Sequence, residues 1–299
     1  MLCWQNIVFF YSCVYDFFWI CFYFLQGSQG LDSLFSMNSV GLSHPRQCEE
    51  RVRDPFERCT MKLPKDYIIF PLDLPSYDQA MTYVDKLKEH VGLFKVGLEL
   101  FISQGPDILK SIHDAGDAGI FLDLKLHDIP ATVQRAFVAA SQHNPEFVTV
   151  HCDEGEEILR GVAKNNPGDT KILAVTVLTS LNQEKLRALG YSDKYAEDLS
   201  ALVLLRARMA KAAGCHGVVC SGLEVAMVKR ELGSELIAVT PGIRPAWSLV
   251  NQDDQKRIVT PADAIRNGSD YVVIGRPIRD AKDPADAARK VAEEIESAL

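Results

Sequence analysis

The stretch FLDLKLHDIP places Asp123, Lys125 and Asp128 within six residues, and the nearby LFKVGLEL adds Lys95. All four charges sit at the end of runs apolar enough to be buried. Carboxylates and ammonium groups interleaved in this way keep one another ionised out of water. A single such pair could be an ion pair that pins two strands, and a buried pair is weak evidence for stability. Several at one place favour an array that acts on charge in a bound molecule. A second chemistry lies in DYVVIGRPI, where Gly275 admits close approach of the backbone and Arg276 offers a bidentate grip for phosphate oxygens. VTPGIRP adds Thr240, Gly242 and Arg244, and the polar, aperiodic residues 245–257 that follow are expected to form a lid.

Eight short apolar runs carry these groups, at residues 67–72, 93–96, 120–124, 147–151, 172–178, 217–220, 236–239 and 271–274. They are continuous rather than alternating, which suits parallel strands buried on both faces. Amphipathic segments, among them 77–90, 106–115, 131–143, 199–213 and 224–232, read as helices between them. Ser76 and Pro130 mark helix starts, and Gly92 and Gly116 mark helix ends. Eight β/α units in about 240 residues predict a single-domain (β/α)8 TIM barrel over residues 61–299. An open doubly wound sheet is disfavoured, because no G-x-G-x-x-G follows the first strand. Side chains alternate along a strand, so Asp123 and Lys125 should point the same way. Charged heads under the helices would be intolerable, so both, with Lys95, are expected inward at the barrel mouth.

Forty acidic against thirty-two basic residues, a net charge of −8, argue against a nucleic-acid surface and suit a soluble protein. Residues 1–60 differ from the rest. Residues 1–25 hold eleven of the twenty-six aromatics, and the apolar stretch 7–25 is nearly long enough to span a bilayer. Asp16 interrupts it and no basic residue precedes it, which disfavours a membrane anchor and a signal peptide. The favoured reading is a disordered or non-native extension, upstream DNA read in frame ahead of a start at Met61. Five of the eight cysteines fall there; Cys152, Cys215 and Cys220 remain for a body read as reduced and cytoplasmic. No His, Cys and Asp cluster has the spacing of a zinc site.

The motifs PLD, FKVGLELF, FLDLKLHDIPATV, VTVH, VTVLTS, VTPGIRP and VVIGRPI, spread from about residue 67 to the C-terminus, closely resemble those of the orotidine 5′-monophosphate decarboxylase family. The resemblance implies a homodimeric carboxy-lyase of pyrimidine biosynthesis that converts orotidine 5′-monophosphate to UMP and CO₂, with active sites at the subunit interface and no metal or organic cofactor. By motif match, Asp73 and Lys95 hold the ribose hydroxyls, and Lys95, Asp123, Lys125 and Asp128 form the charge array. Lys125 donates a proton to C6, while Asp128, with Ile129 and Thr132, reaches the partner's site. Thr179 touches the pyrimidine edge, and Arg244, Gln255, Gly275 and Arg276 grip phosphate, Gln255 closing with the lid. His127 and His151 are expected to orient their loops rather than transfer protons. The rival is an Mg²⁺-dependent sugar-phosphate enzyme of the same barrel group. Two places depart from the family pattern: Pro71, which puts the geometry of Asp73 in question, and HCDEG after the fourth strand, where small residues and glycines are usual.

Overall fold

The computed structural model describes residues 62–248 and 259–299. The N-terminal extension, Met61, Gln255 and most of the expected lid lie outside the described residues. The eight apolar runs form β1 (Ile68–Pro71), β2 (Leu93–Gly97), β3 (Gly119–Leu126), β4 (Phe147–His151), β5 (Lys171–Val175), β6 (Gly217–Val219), β7 (Ile237–Thr240) and β8 (Tyr271–Val273). They pair in parallel and in chain order, and β8 returns to β1, closing the expected (β/α)8 barrel.

The helices are α1 (Tyr77–Leu87), α2 (Leu98–Gln104), α3 (Asp107–Ala115), α4 (Pro130–Ser141), α5 (Glu156–Lys164), α6 (Gln183–Ala188), α7 (Asp193–Glu197), α8 (Leu199–Ala212), α9 (Val225–Leu232), α10 (Pro261–Arg266), α11 (Arg276–Arg279) and α12 (Pro284–Glu296). Ser76 caps α1 by accepting from the Gln79 amide, and Pro130 opens α4. Gly92 has a different role from the helix end expected: a Cβ there would lie 2.6 Å from the Asp66 backbone, so the glycine lets β2 start against the turn that precedes β1. The run read as 172–178 stops pairing at Val175, and the chain turns away to form the loop that carries Thr179.

Strand alternation divides the core in two. Ile69, Leu93, Phe121, Phe147, Leu173, Val239 and Val273 fill the barrel interior, while Ile68, Phe70, Phe94, Leu122, Val148 and Ile172 pack under the helices. Two residues further along from that interior layer come Pro71, Lys95, Asp123, Thr149, Val175, Pro241 and Gly275. The polar groups of the mouth are thus the next storey above an apolar plug, and period two places them there.

The opposite end of the barrel is closed by a lysine. Lys62 Nζ lies 3.9 Å from the Tyr67 ring centroid and 3.5 Å from that of Tyr271, and donates to the Asp270 carbonyl at 2.6 Å. Burial lowers its pKa to about 8, against the pull of Asp270 and Asp66. The unfolded chain therefore binds the extra proton between about pH 8 and the ordinary lysine value, so stability rises with pH across that window. The gap corresponds to at most about 3 kcal/mol, and partial exposure and screening reduce this to roughly 2. Urea titrations at pH 8 and pH 10 should show this gain in the wild type and lose it in Lys62→Met; an equal gain in both chains would acquit Lys62.

Candidate active site

At the mouth, Asp123 is only 8% exposed and gathers the surrounding charges. Lys125 Nζ donates to its Oδ2 at 2.6 Å, Lys95 Nζ stands 3.7 Å from the same oxygen, and Thr149 Oγ1 donates to Oδ1 at 3.0 Å. Burial by itself would raise the Asp123 pKa, but the two ammonium groups and the hydrogen bonds from Lys125 and Thr149 outweigh it and hold the carboxyl below its usual range. Lys95 also donates to Asp73 at 2.9 Å, so Asp73, Lys95, Asp123 and Lys125 form one chain of alternating charge. Gly97 makes room for it, since a Cβ there would lie 3.0 Å from Lys95 Nζ.

Lys125 reaches Asp123 by a route that simple alternation does not describe. Leu122 pairs with Val148 and Leu126 with Val150, so four steps of β3 oppose two of β4. Within this bulge Lys125 has φ +49°, a left-handed conformation rare for a side chain of this size, and its amide donates to Thr149 Oγ1 at 2.8 Å. Backbone strain of this kind costs on the order of 1–3 kcal/mol and clusters at functional sites. Thr149 holds both ends, taking the Lys125 amide and giving its hydroxyl proton to Asp123.

Asp128 does not join this array within one chain. It is exposed, forms no ion pair among the described residues, and its Oδ1 accepts from the Ile129 amide at 2.7 Å. Ile129 is 67% exposed, and Thr132 is half-buried in the first turn of α4. Thr179 is half-buried in the turn after β5, where the Leu181 amide donates to the Leu178 carbonyl. Across the mouth, Gly275 and the half-buried Arg276 form the start of α11, and Arg244 is buried with Nη1 donating to the Ile243 carbonyl. Thr240 points outward instead of toward them, its hydroxyl lying 3.1 Å from both Ser269 Oγ and the Tyr271 carbonyl. Val239, its neighbour, takes the interior position.

Pro71 leaves Asp73 well placed. It closes β1 in register with Lys95, and the Leu72 amide resumes the ladder by donating to the Lys95 carbonyl at 2.9 Å. Its ring packs on Gly275, where a Cβ would lie 3.0 Å from Pro71 Cγ, so the glycine is needed for this contact.

Residues 66–291 match the family described as Orotidine 5'-phosphate decarboxylase / HUMPS family. The chain belongs to that family. A protein of Desulfosudis oleivorans named Orotidine 5'-phosphate decarboxylase is 51% identical over 239 residues, covering 80% of this chain and 96% of the relative. One of the same name from Methylococcus capsulatus is 48% identical over 230 residues, 77% of this chain and 92% of that one. The crystal structure of orotidine 5'-phosphate decarboxylase from Lactobacillus acidophilus superposes with a TM-score of 0.66 at 36% identity, covering 76% of this chain and 98% of that one. In this orotidine 5'-phosphate decarboxylase family member, Thr149 and Gly97 complete the candidate site, although the motif match gives neither a role. Thr149 carried a usable signal, since it stands two residues beyond the interior Phe147 on the strand next to Asp123.

Proposed function

We propose that this chain is a carboxy-lyase that releases CO₂ from orotidine 5′-monophosphate to give UMP, working as a cytoplasmic homodimer without metal or cofactor. The observation that carries this reading is the pair of ammonium groups, Lys95 and Lys125, converging on one buried carboxylate at the barrel mouth. Breaking the bond from C6 to the carboxylate leaves its electron pair in an sp² orbital that the pyrimidine π system cannot delocalise. Charge must then be stabilised by fixed neighbours. Lys125 lies toward that pair and gives its proton to C6 as CO₂ departs; the amine is reprotonated from water. Asp123, ionised at neutral pH, and Asp128 lent by a second copy flank the departing carboxylate. Asp73 and Lys95 hold the ribose hydroxyls, Ile129 and Thr132 border the second copy's site, and Thr179 touches the pyrimidine edge. Arg244, Gln255, Gly275 and Arg276 take the phosphate, whose binding energy closes the loop and is used in the transition state.

Lys95 Nζ sits between Asp73 and Asp123, in the space where a divalent cation would need to bind those carboxylates. Turnover of orotidine 5′-monophosphate, followed by its ultraviolet absorbance, is therefore expected to be unchanged after dialysis against EDTA. Activity that falls and returns with added Mg²⁺ would move the chain to the sugar-phosphate branch. No helix among the described residues is long and apolar enough to cross a membrane, and Cys152 and Cys215 are buried free thiols, which suits a reducing compartment.

A further inference from the structure

The HCDEG turn between β4 and α5 carries two carboxylates that the chemistry above does not use. Gly155, with φ +93°, ends the turn and caps α5, leaving Asp153 and Glu154 to face different partners. Glu154 Oε1 pairs with Nε2 of His127, the residue immediately before Asp128, and the His127 ring lies 5.1 Å from that of His151. Asp153 Oδ2 stands 3.4 Å from His151 Nδ1, and its Oδ1 pairs with Arg206 of α8. Arg206 is only 6% exposed and is fixed in turn: Nη1 donates to the Thr176 carbonyl at 2.5 Å and Nη2 to the Tyr191 hydroxyl at 2.8 Å. One short turn thus spans from a buried guanidinium to the segment whose next residue is Asp128.

We propose that Glu154, backed by Asp153 and Arg206, is a positioning residue that holds the segment from His127 to Ile129 in the posture that presents Asp128 to a second copy of the chain. The inference rests on the proposed function, in which Asp128 acts across the interface. Among the described residues Asp128 has no ion pair to set its direction, so its aim follows the backbone, and the His127–Glu154 contact ties that backbone to the HCDEG turn. A partly exposed contact between an imidazole and a carboxylate contributes little to stability. Small displacements of a charge beside a reacting carbon cost far more in rate.

Glu154→Gln tests this, because the site is partly exposed and the variant keeps the size of the side chain. The expected result is a kcat about five- to tenfold lower with KM within about twofold, a near-normal melting temperature, and partial recovery in Glu154→Asp. Mixed dimers locate the effect. In one pairing, a Lys125→Ala, Glu154→Gln chain meets an Asp128→Ala chain, so the intact site borrows its Asp128 from the chain with the altered turn. In the other, Glu154→Gln is moved to the Asp128→Ala chain. The loss should follow the first pairing alone. An unchanged kcat, a loss confined to KM, or equal loss in both pairings overturns the proposal; failure of any mixed dimer to work overturns the shared-site reading on which it rests.

Discussion

Lys125→Ala is expected to abolish decarboxylation, lowering kcat by about 10⁴-fold or more, while UMP still binds within about tenfold of the wild-type affinity. A positioned proton donor contributes roughly 10²–10⁴ in rate, and fixed charge at a developing anion about 10²–10³ more. In the proposed mechanism Lys125 holds both roles, whereas Arg244 follows β7 and Gly275 and Arg276 follow β8, across the mouth. The same substitution removes the ammonium nearest Asp123, 2.6 Å away. In the wild type the depressed pKa of Asp123 adds stability at neutral pH, and that contribution is lost as pH falls through the folded value. Without Lys125 the folded pKa rises, the contribution shrinks, and acid unfolding should begin at a higher pH. Turnover by absorbance, UMP binding by calorimetry and an acid titration followed by circular dichroism give the three readouts. Near-normal turnover would remove Lys125 from the proton-donor role. Loss of UMP binding together with turnover would mean that the side chain supports the site's shape instead.

The barrel was legible because its interior layer obeys a simple rule. Once Ile69, Leu93, Phe121 and Phe147 point inward, Pro71, Lys95, Asp123 and Thr149 must follow two residues later. Alternation extended to Lys125 gave the right neighbour for an incomplete reason, since the bulge against β4 and the left-handed Lys125 backbone re-aim that side chain. A bulge has no signature in apolar periodicity, so it was invisible beforehand. In sequence Thr240 falls with the phosphate residues Gly242 and Arg244, but the parity of β7 sends it under the helices to the Tyr271 carbonyl. The short α2, α6, α7, α10 and α11 are not legible in the sequence because helices of four to seven residues hardly complete two turns of an amphipathic pattern. HCDEG read as an unexplained departure because its partners, Arg206 on α8 and His127 after β3, lie far from it in sequence.

Chains carrying Lys125→Ala or Asp128→Ala, each nearly inactive alone, are expected to recover about a quarter of wild-type turnover when mixed and allowed to exchange subunits. If each site takes Lys125 from one copy and Asp128 from the other, random reassortment in a two-fold dimer makes half the dimers mixed, each with one intact site of two. A chain that supplied both groups to its own site would gain nothing from mixing. The structure favours sharing: Asp128 stands apart from the Lys95, Asp123 and Lys125 cluster, beside a 67% exposed Ile129. Leu98 and Ile102 of α2, on the neighbouring β/α unit, are also exposed, at 49% and 77%. Large apolar side chains such as these gain free energy when a second subunit covers them. Restored activity should also depend on protein concentration and fall on dilution below the dimer dissociation constant. No recovery at any mixing ratio, with both variants folded and dimeric by light scattering, would require Asp128 to act within its own chain or not at all.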